Sequence, residues 1–163
     1  MCWDYQHNEG ITIVVPTLED VEIVSRCIVE RLNRTTGPTM FILPMRGWST
    51  YDQSEALATR ERGWARGNGD GPVWEPDPAH PEWSRRAGVM LGILRDGFDP
   101  SNQNLDLLAT DHHILDPESG DLVNRVMDEM LDHKWAKGVH RDSPSTPWSE
   151  TPIASDQPML RLL

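Results

Sequence analysis

The chain has 163 residues, of which 26 are acidic and 15 are lysine or arginine, for a formal net charge of -11 at pH 7. This length predicts one domain with a core of its own. The acidic balance argues against a nucleic-acid partner, which needs a basic face toward the phosphates. No run approaches the roughly 18 apolar residues of a membrane span, and the first ten residues lack the order of a signal peptide. We therefore expect a cytoplasmic protein with no membrane partner.

The first half of the chain begins with a β-α-β pattern. Ile11–Val15 is a β-branched run of strand length, and Thr39–Leu43 is a second apolar run of that length. Between them, Thr17 and Asp20 have nearly the spacing of a capping box, which predicts the start of a helix. Cys27 is expected to be a small core residue of that helix. Its buried stripe is predicted from apolar residues at three- and four-residue steps: Val21, Val24, Ile28 and Leu32.

The second half contains an excursion, residues 53–80, whose glycines and prolines interrupt any helical or strand period. Trp64 and Trp74 either pin this excursion to the body of the protein or belong to a lid over a cleft. A second helix is predicted from Pro81, with an apolar face of Trp83, Ala87, Met90, Leu91 and Leu94. Leu105–Ala109 predicts a third strand.

A third helix is expected to begin at Asp116 and Pro117. Its predicted packing residues are Leu122, Val126, Met127, Met130 and Leu131.

These elements predict an α/β fold: a three-layer, Rossmann-like or flavodoxin-like lobe with a small, mostly parallel sheet in which the three strands are adjacent. Residues 1–139 form the lobe, and residues 140–163 form a Pro- and Ser-rich tail. The apolar tail end, Met159–Leu163, either docks on the body or a neighbouring chain, or is a frayed end. Three strands are few for such a domain. We therefore expect a homo-oligomer, or a lobe whose missing first lobe completes the core.

Two short loops follow predicted strands and are expected to meet, because ligands bind at the carboxyl ends of parallel strands. In the first loop, Gly47 allows close backbone approach, Arg46 offers a bidentate contact to an anion, and Ser49 and Thr50 offer hydroxyls. This loop matches no established phosphate-binding motif. A plain capping turn and catalysis by Ser49 remain alternatives.

The second loop contains Asp111, His112, His113 and Asp116. His113 with Asp111 is the favoured pair for a direct role as base and orienting carboxylate. Asp116 immediately precedes a proline-started helix and is expected to be its N-cap. No further cysteine or histidine has the spacing of a zinc ligand, so we expect no metal.

The chain also resembles a known family through an ordered set of segments. They are His7-Asn8, the strand Ile11–Val15, Thr36-Gly37-Pro38, Leu43-Pro44 with Gly47, Ser49 and Asp52, Gly71-Pro72-Val73-Trp74, and Asp111 with His113-Ile114 and Asp116-Pro117. This order resembles the second half of the tomato mosaic resistance protein ATP-binding-like domain family. The resemblance implies a two-lobed protein with nucleotide binding, of which this chain has the second lobe only. The family includes a plant virus-resistance protein. Through that member, the resemblance implies that the domain acts by interacting with another protein.

Two functional classes follow. The first is a module that binds a nucleotide such as ATP, or a small anion, through Arg46, Gly47, Ser49, Thr50 and Asp52 with Asp111 and His113. The second is a hydrolase-like enzyme in which Ser49, His113 and either Asp52 or Asp111 assemble across neighbouring strand ends. The absence of a GxSxG elbow favours the first class. A purely structural lobe without an active site is a third reading.

Overall fold

The apolar runs form strands and the capped, periodic segments form helices in a computed structural model of the chain, which describes residues 3–48, 75–140 and 161–162. In chain order the elements are β1 (Trp3–Asn8), β2 (Ile11–Val15), α1 (Leu18–Leu32), β3 (Thr39–Pro44), α2 (Arg85–Gly97), β4 (Leu105–Thr110), α3 (Pro117–Leu131) and β5 (Arg161–Leu162). None of the described helices is long and apolar enough to cross a bilayer.

The main sheet is built on β3 and β4, which pair in parallel from Thr39 opposite Leu105 to Pro44 opposite Thr110. The two residues of β5 pair antiparallel to β4, so the order of the strands is β3-β4-β5. All six residues of β4 are buried. A strand buried on both faces is typical of a parallel sheet covered by helices on either side.

Helices cover both faces of this sheet. Leu105, Leu107 and Ala109 of β4 belong to the larger core, together with α1 and α2. Leu108, which points to the opposite face, packs in a second cluster with Leu122 and Val126 of α3. The predicted three-layer α/β class with a small, mostly parallel sheet is therefore confirmed.

The predicted place of the first strand is wrong. Ile11–Val15 does form a strand, but β2 pairs antiparallel with β1, from Val15 opposite Trp3 to Ile11 opposite Asn8, in a two-stranded sheet of its own. Short-range pairing across the turn at Glu9 and Gly10 takes the place of the expected crossover to β3. An apolar, β-branched run in the sequence predicts that a strand forms, but it does not predict which strand it pairs with.

Three details of the helices also differ from the prediction. In α1 the core-facing residues include Val21 and Ser25, whereas Val24 is 51% exposed and Cys27 is exposed, because both lie away from the side that meets α2. In α2 the first residue is Arg85, so Trp83 lies in the preceding turn. In α3 Asp116 is the N-cap residue and Pro117 opens the helix as expected, but Met127 and Leu131 face solvent.

A buried carboxylate fixes the segment that follows α3. Asp106 of β4 is fully buried, and its Oδ2 accepts a hydrogen bond of 2.7 Å from the backbone N–H of Gly138. Gly138 has φ 81°, a conformation that glycine adopts without steric cost. Lys137 donates from Nζ to the carbonyl oxygens of Pro100 and Asn102. The chain after α3 is thus held against the amino end of β4.

The burial pattern predicts unequal effects of one substitution at two leucines. Leu94 of α2 is fully buried, whereas Leu131 of α3 is 69% exposed. We expect Leu94→Ala to lower the free energy of unfolding by about 2–5 kcal/mol through lost burial and a residual cavity. Leu131→Ala should change it by about 0.5 kcal/mol or less. Urea denaturation followed by circular dichroism measures both, and equal losses would contradict the place of α2 in the core.

The capping box of α1 gives a prediction for acid pH. The Thr17 hydroxyl and the Thr17 backbone N–H both bond to the Asp20 carboxylate and lower its pKa below the usual 3.8. The stabilisation that these hydrogen bonds give is therefore complete above pH 3.8, the pKa of an unperturbed Asp. It is lost as the pH falls through the lower pKa that Asp20 has in the folded state. In Thr17→Val we expect the Asp20 carboxyl to titrate closer to its usual pKa in an NMR titration.

Asp99 is the matched control for this titration. Its pKa is lowered mainly by the hydrogen bond from the Ser101 hydroxyl, and it lies beside Asn33 at the opposite end of α1 from Thr17. The Asp99 titration should therefore be unchanged in Thr17→Val. If both carboxyls shift together, the effect of Thr17 is not local.

Candidate functional site

The parallel pairing of β3 and β4 brings the two predicted loops together. Hydrogen bonds continue past the strand ends, from the backbone N–H of Met45 to the carbonyl of Thr110 at 2.9 Å and from Arg46 N–H to the His112 carbonyl at 3.0 Å. The N–H of Ile114 then donates to the Gly47 carbonyl at 3.0 Å. The loops after the two strands therefore form one continuous surface at the carboxyl edge of the sheet.

A bidentate ion pair joins the side chains of the two loops. Nε of Arg46 donates to Oδ1 of Asp111 and Nη2 donates to Oδ2, both at 3.0 Å. The indole Nε1 of Trp83 donates to the same Oδ1 at 3.1 Å. The Asp111 side chain is only 5% exposed, while that of Arg46 is 42% exposed. A buried carboxylate is thus fully engaged, and it holds a half-exposed guanidinium in one orientation.

The charge environment favours the cationic form of Arg46. The hydrogen bond to Asp111 is the main cause that raises the pKa of Arg46, against an opposing effect of desolvation. The negative charges of Asp111, Glu82 and Asp116 act in the same direction as the hydrogen bond. Arg46 is therefore positively charged at neutral pH.

Gly47 has a backbone conformation that the loop requires. Its φ is 132°, which other residues rarely adopt, and it is buried between the two loops. On its carboxyl side, Trp48 donates from Nε1 to the carbonyl of Pro44 at 2.9 Å and closes the turn. A side chain at position 47 would strain the backbone where the loops meet.

His113 is buried and is part of the turn that leads into α3. Its backbone N–H donates to Oδ2 of Asp116 at 2.7 Å, and its ring Nδ1 accepts from the N–H of Leu115 at 3.1 Å. The Ser119 hydroxyl donates to the His113 carbonyl at 2.8 Å. The Nδ1 lone pair of His113 is therefore engaged within the turn. The side chain of Asp116 thus stabilises the turn. Its carboxylate accepts no hydrogen bond from the described backbone N–H groups of α3, so it does not cap that helix.

The predicted site residues fall into two groups. Arg46, Gly47, Asp111 and His113 lie together at the carboxyl edge of the main sheet. Ser49, Thr50 and Asp52 lie outside the described residues, as do Trp64 and Trp74 of the predicted excursion. Within the described ranges, no three His, Cys, Asp or Glu side chains are grouped to hold a metal ion.

Trp83 is the site residue that sequence reasoning assigned elsewhere. It was expected on the apolar face of a helix, but it lies in the turn before α2, where its ring stacks on His80 with centroids 4.0 Å apart. The next residue, Ser84, donates from its backbone N–H to the Met45 carbonyl at 2.7 Å. Pro78 and Pro81 on either side of His80 were the available signal for such a turn, because proline disfavours continued helix.

A cavity of about 610 Å³ lies apart from these loops, between α1 and α2. Its wall includes Arg26, Val29, Gly92 and Ile93. It contains none of the predicted site residues. The loops after β3 and β4 therefore form a surface site rather than a part of this cavity.

One comparison with known protein families gives a match over part of the chain. Residues 4–63 match the family model described as the C-terminal domain of an uncharacterised protein family, UPF0261. The matched range includes most of β1, all of β2, α1 and β3, and the first loop with Arg46 and Gly47. It ends before β4 and the second loop. The match supports similarity to an uncharacterised family, and it supports neither the tomato mosaic resistance protein family nor the assignment as a second lobe.

The partly buried ion pair of Arg46 and Asp111 predicts a larger coupling free energy between its two side chains than an exposed ion pair has. Asp111→Asn should destabilise the fold by about 1–3 kcal/mol, because Arg46 and the buried indole of Trp83 lose a charged acceptor. With Arg46→Gln, a double-mutant cycle should give a coupling of about 0.5–3 kcal/mol. Free energies of unfolding in urea measure each corner of the cycle.

Arg85 and Glu75 provide the control cycle. This pair has a similar separation, 3.2 Å, but both side chains are at least 40% exposed. We expect a coupling of about 0–1 kcal/mol there. A coupling between Arg46 and Asp111 no larger than that of the control would show that the two loops are held together by other contacts.

Proposed function

We propose that this chain is an α/β module that binds a nucleotide, such as ATP, or a comparable small anion. The ligand binds at the joined loops after β3 and β4, and the module acts by interacting with another protein. The observation that carries the proposal is the position of Arg46, fixed by Asp111 at the carboxyl edge of two parallel strands. Ligands of open α/β sheets bind outside this edge.

The orientation of Arg46 supports an anionic ligand. Asp111 occupies the Nε and Nη2 side of the guanidinium, and Nη1 makes no hydrogen bond to any residue that the structure describes. A guanidinium that is already immobilised loses little further freedom when it receives a second partner. The outer side of Arg46 is thus a donor that is prepared before the ligand arrives.

The same surroundings limit the strength of binding. Asp111 neutralises much of the charge of Arg46, and Glu82 and Asp116 add negative charge nearby. An anion must overcome this repulsion through further donors. The sequence offers them at Ser49 and Thr50, which directly follow the described part of the first loop. We therefore expect weak binding that decreases as salt increases.

Titration calorimetry on the full chain with ATP, AMP and inorganic phosphate tests the proposal. Ser49→Ala should weaken binding by the value of one neutral hydrogen bond, about 0.5–1.5 kcal/mol. Gly47→Val should weaken it further, because φ 132° is unsuited to a β-branched residue and the side chain blocks backbone approach.

Gly92→Val is the control for the glycine substitution, because a Cβ added at that position in α2 meets no atom within 4 Å. Circular dichroism confirms that each variant is folded. No heat of binding from the wild type with any of the three ligands at millimolar concentration would reject the proposal. Binding that neither Ser49→Ala nor Gly47→Val weakens would exclude this loop.

The hydrolase alternative receives less support from the geometry. In a triad, a carboxylate orients the histidine and the histidine accepts a proton from the nucleophile. Here the Asp111 carboxylate binds Arg46 and Trp83, and Nδ1 of His113 already accepts the N–H of Leu115. Both groups are therefore engaged with partners other than those that a triad requires. Binding is therefore the better reading of the site.

A further inference from the structure

Each described sheet has open strand edges, and two of these edges belong to strands without a charged residue, β2 and β3. β3 is the outermost strand of the main sheet, whose order is β3-β4-β5. β2 pairs with β1 alone, in a separate two-stranded sheet. Each open edge presents backbone N–H and C=O groups that can pair with a further strand.

The chain is anchored at the residue that follows β2. Nε of Arg86 donates to the carbonyl of Pro16 at 3.0 Å, directly after β2. The following helix, α1, is held at both ends of its buried face: Val21 is in the main core, and Nδ2 of Asn33 donates to the Gly97 carbonyl at 2.9 Å. The end of β2 is therefore fixed beside the start of α2.

Neither open edge suits permanent exposure to water. A lone two-stranded hairpin is marginally stable at best in water. β3 has the sequence Thr-Met-Phe-Ile-Leu-Pro, an apolar edge strand, which is a template for pairing with another chain. β2 has the sequence Ile-Thr-Ile-Val-Val. Neither strand contains a charged residue.

Composition and length match the two edges to each other. β2 has five residues and β3 has six, both uncharged, in a chain with a net charge of -11. Copies of such a chain repel each other over most of their surface, so contact is favoured where charges are lacking. A β-branched strand is also the sequence type that pairs best in a sheet.

We propose that two copies of this chain exchange their hairpins, so that β2 of each copy pairs in parallel with the open edge of β3 of the other. The exchange is reciprocal and closes on itself about a two-fold axis, which is the common way to satisfy two complementary edges on one chain. Parallel pairing is the arrangement that a β-α-β crossover produces within a single chain. The exchange therefore extends the main sheet of each copy by the two strands of the hairpin.

Mixed disulfide cross-linking of the full chain tests this inference. In a background of Cys2→Ser and Cys27→Ser, one preparation carries a single cysteine in β2, at Thr12, Ile13 or Val14. The other carries a single cysteine in β3, at Met40, Phe41 or Ile42. Equimolar mixtures are oxidised, and cross-linked heterodimers are separated from monomers by non-reducing electrophoresis. Ile23→Cys is the control for β2, because Ile23 is 56% exposed on α1 and belongs to no strand edge.

We expect cross-linked heterodimers whose yield alternates between high and low from one cysteine position to the next. The reason is that successive side chains of a strand point to opposite faces of the sheet. The best pair should exceed the Ile23→Cys control by about tenfold, since a disulfide forms only between closely placed Cβ atoms. Sedimentation velocity of the wild type should show a dimer at micromolar concentration.

Three results would overturn the inference. The first is a wild type that is monomeric throughout the micromolar range. The second is a chain with one cysteine in each strand that forms the disulfide at the mass of a monomer, which would place β2 beside β3 of its own chain. The third is a dimer whose cross-links do not exceed those of the control.

Discussion

The parallel pairing of β3 with β4 determines the rest of the described structure. Its register directs Leu105 and Leu107 toward α1 and α2 and directs Leu108 toward α3. A shift of one residue would turn each of these side chains to the opposite face. The same register places Arg46 beside Asp111, since both lie just beyond the paired strand ends. The core and the candidate site therefore depend on one set of backbone contacts.

Features that depend on neighbouring residues could be predicted from the sequence. The capping box of Thr17 and Asp20 and the proline-started helix after Asp116 depend on side chains within a few positions of each other. The strands β2, β3 and β4 were recognisable from short apolar runs of the right length. The meeting of the two predicted loops followed from the parallel pairing of the strands that precede them.

Features that depend on distant residues could not be predicted in this way. Arg46 and Asp111 are 65 positions apart, so nothing local marks them as a pair. Trp83 lies in a turn and donates a hydrogen bond to Asp111. Its spacing from the apolar residues of α2 fits the period of that helix, so the sequence pattern assigned it to the helix. β2 was assigned to the wrong sheet because its composition is equally suited to β1 and to β3. Pairing partners are a property of the whole chain, not of a segment.

The connection between β3 and α2 enters and leaves the body at nearly the same place. Met45, before it, accepts a hydrogen bond from Ser84, and Ser84 is bridged to Pro76, after it. When the two ends of a connection are anchored together, the entropy of closing it rises only with the logarithm of its length, by about 0.6 kcal/mol for each doubling. Closing the connection therefore costs little more when residues are inserted after the first loop, and such an insertion leaves Ser49, Thr50 and Asp52 of the candidate site unchanged.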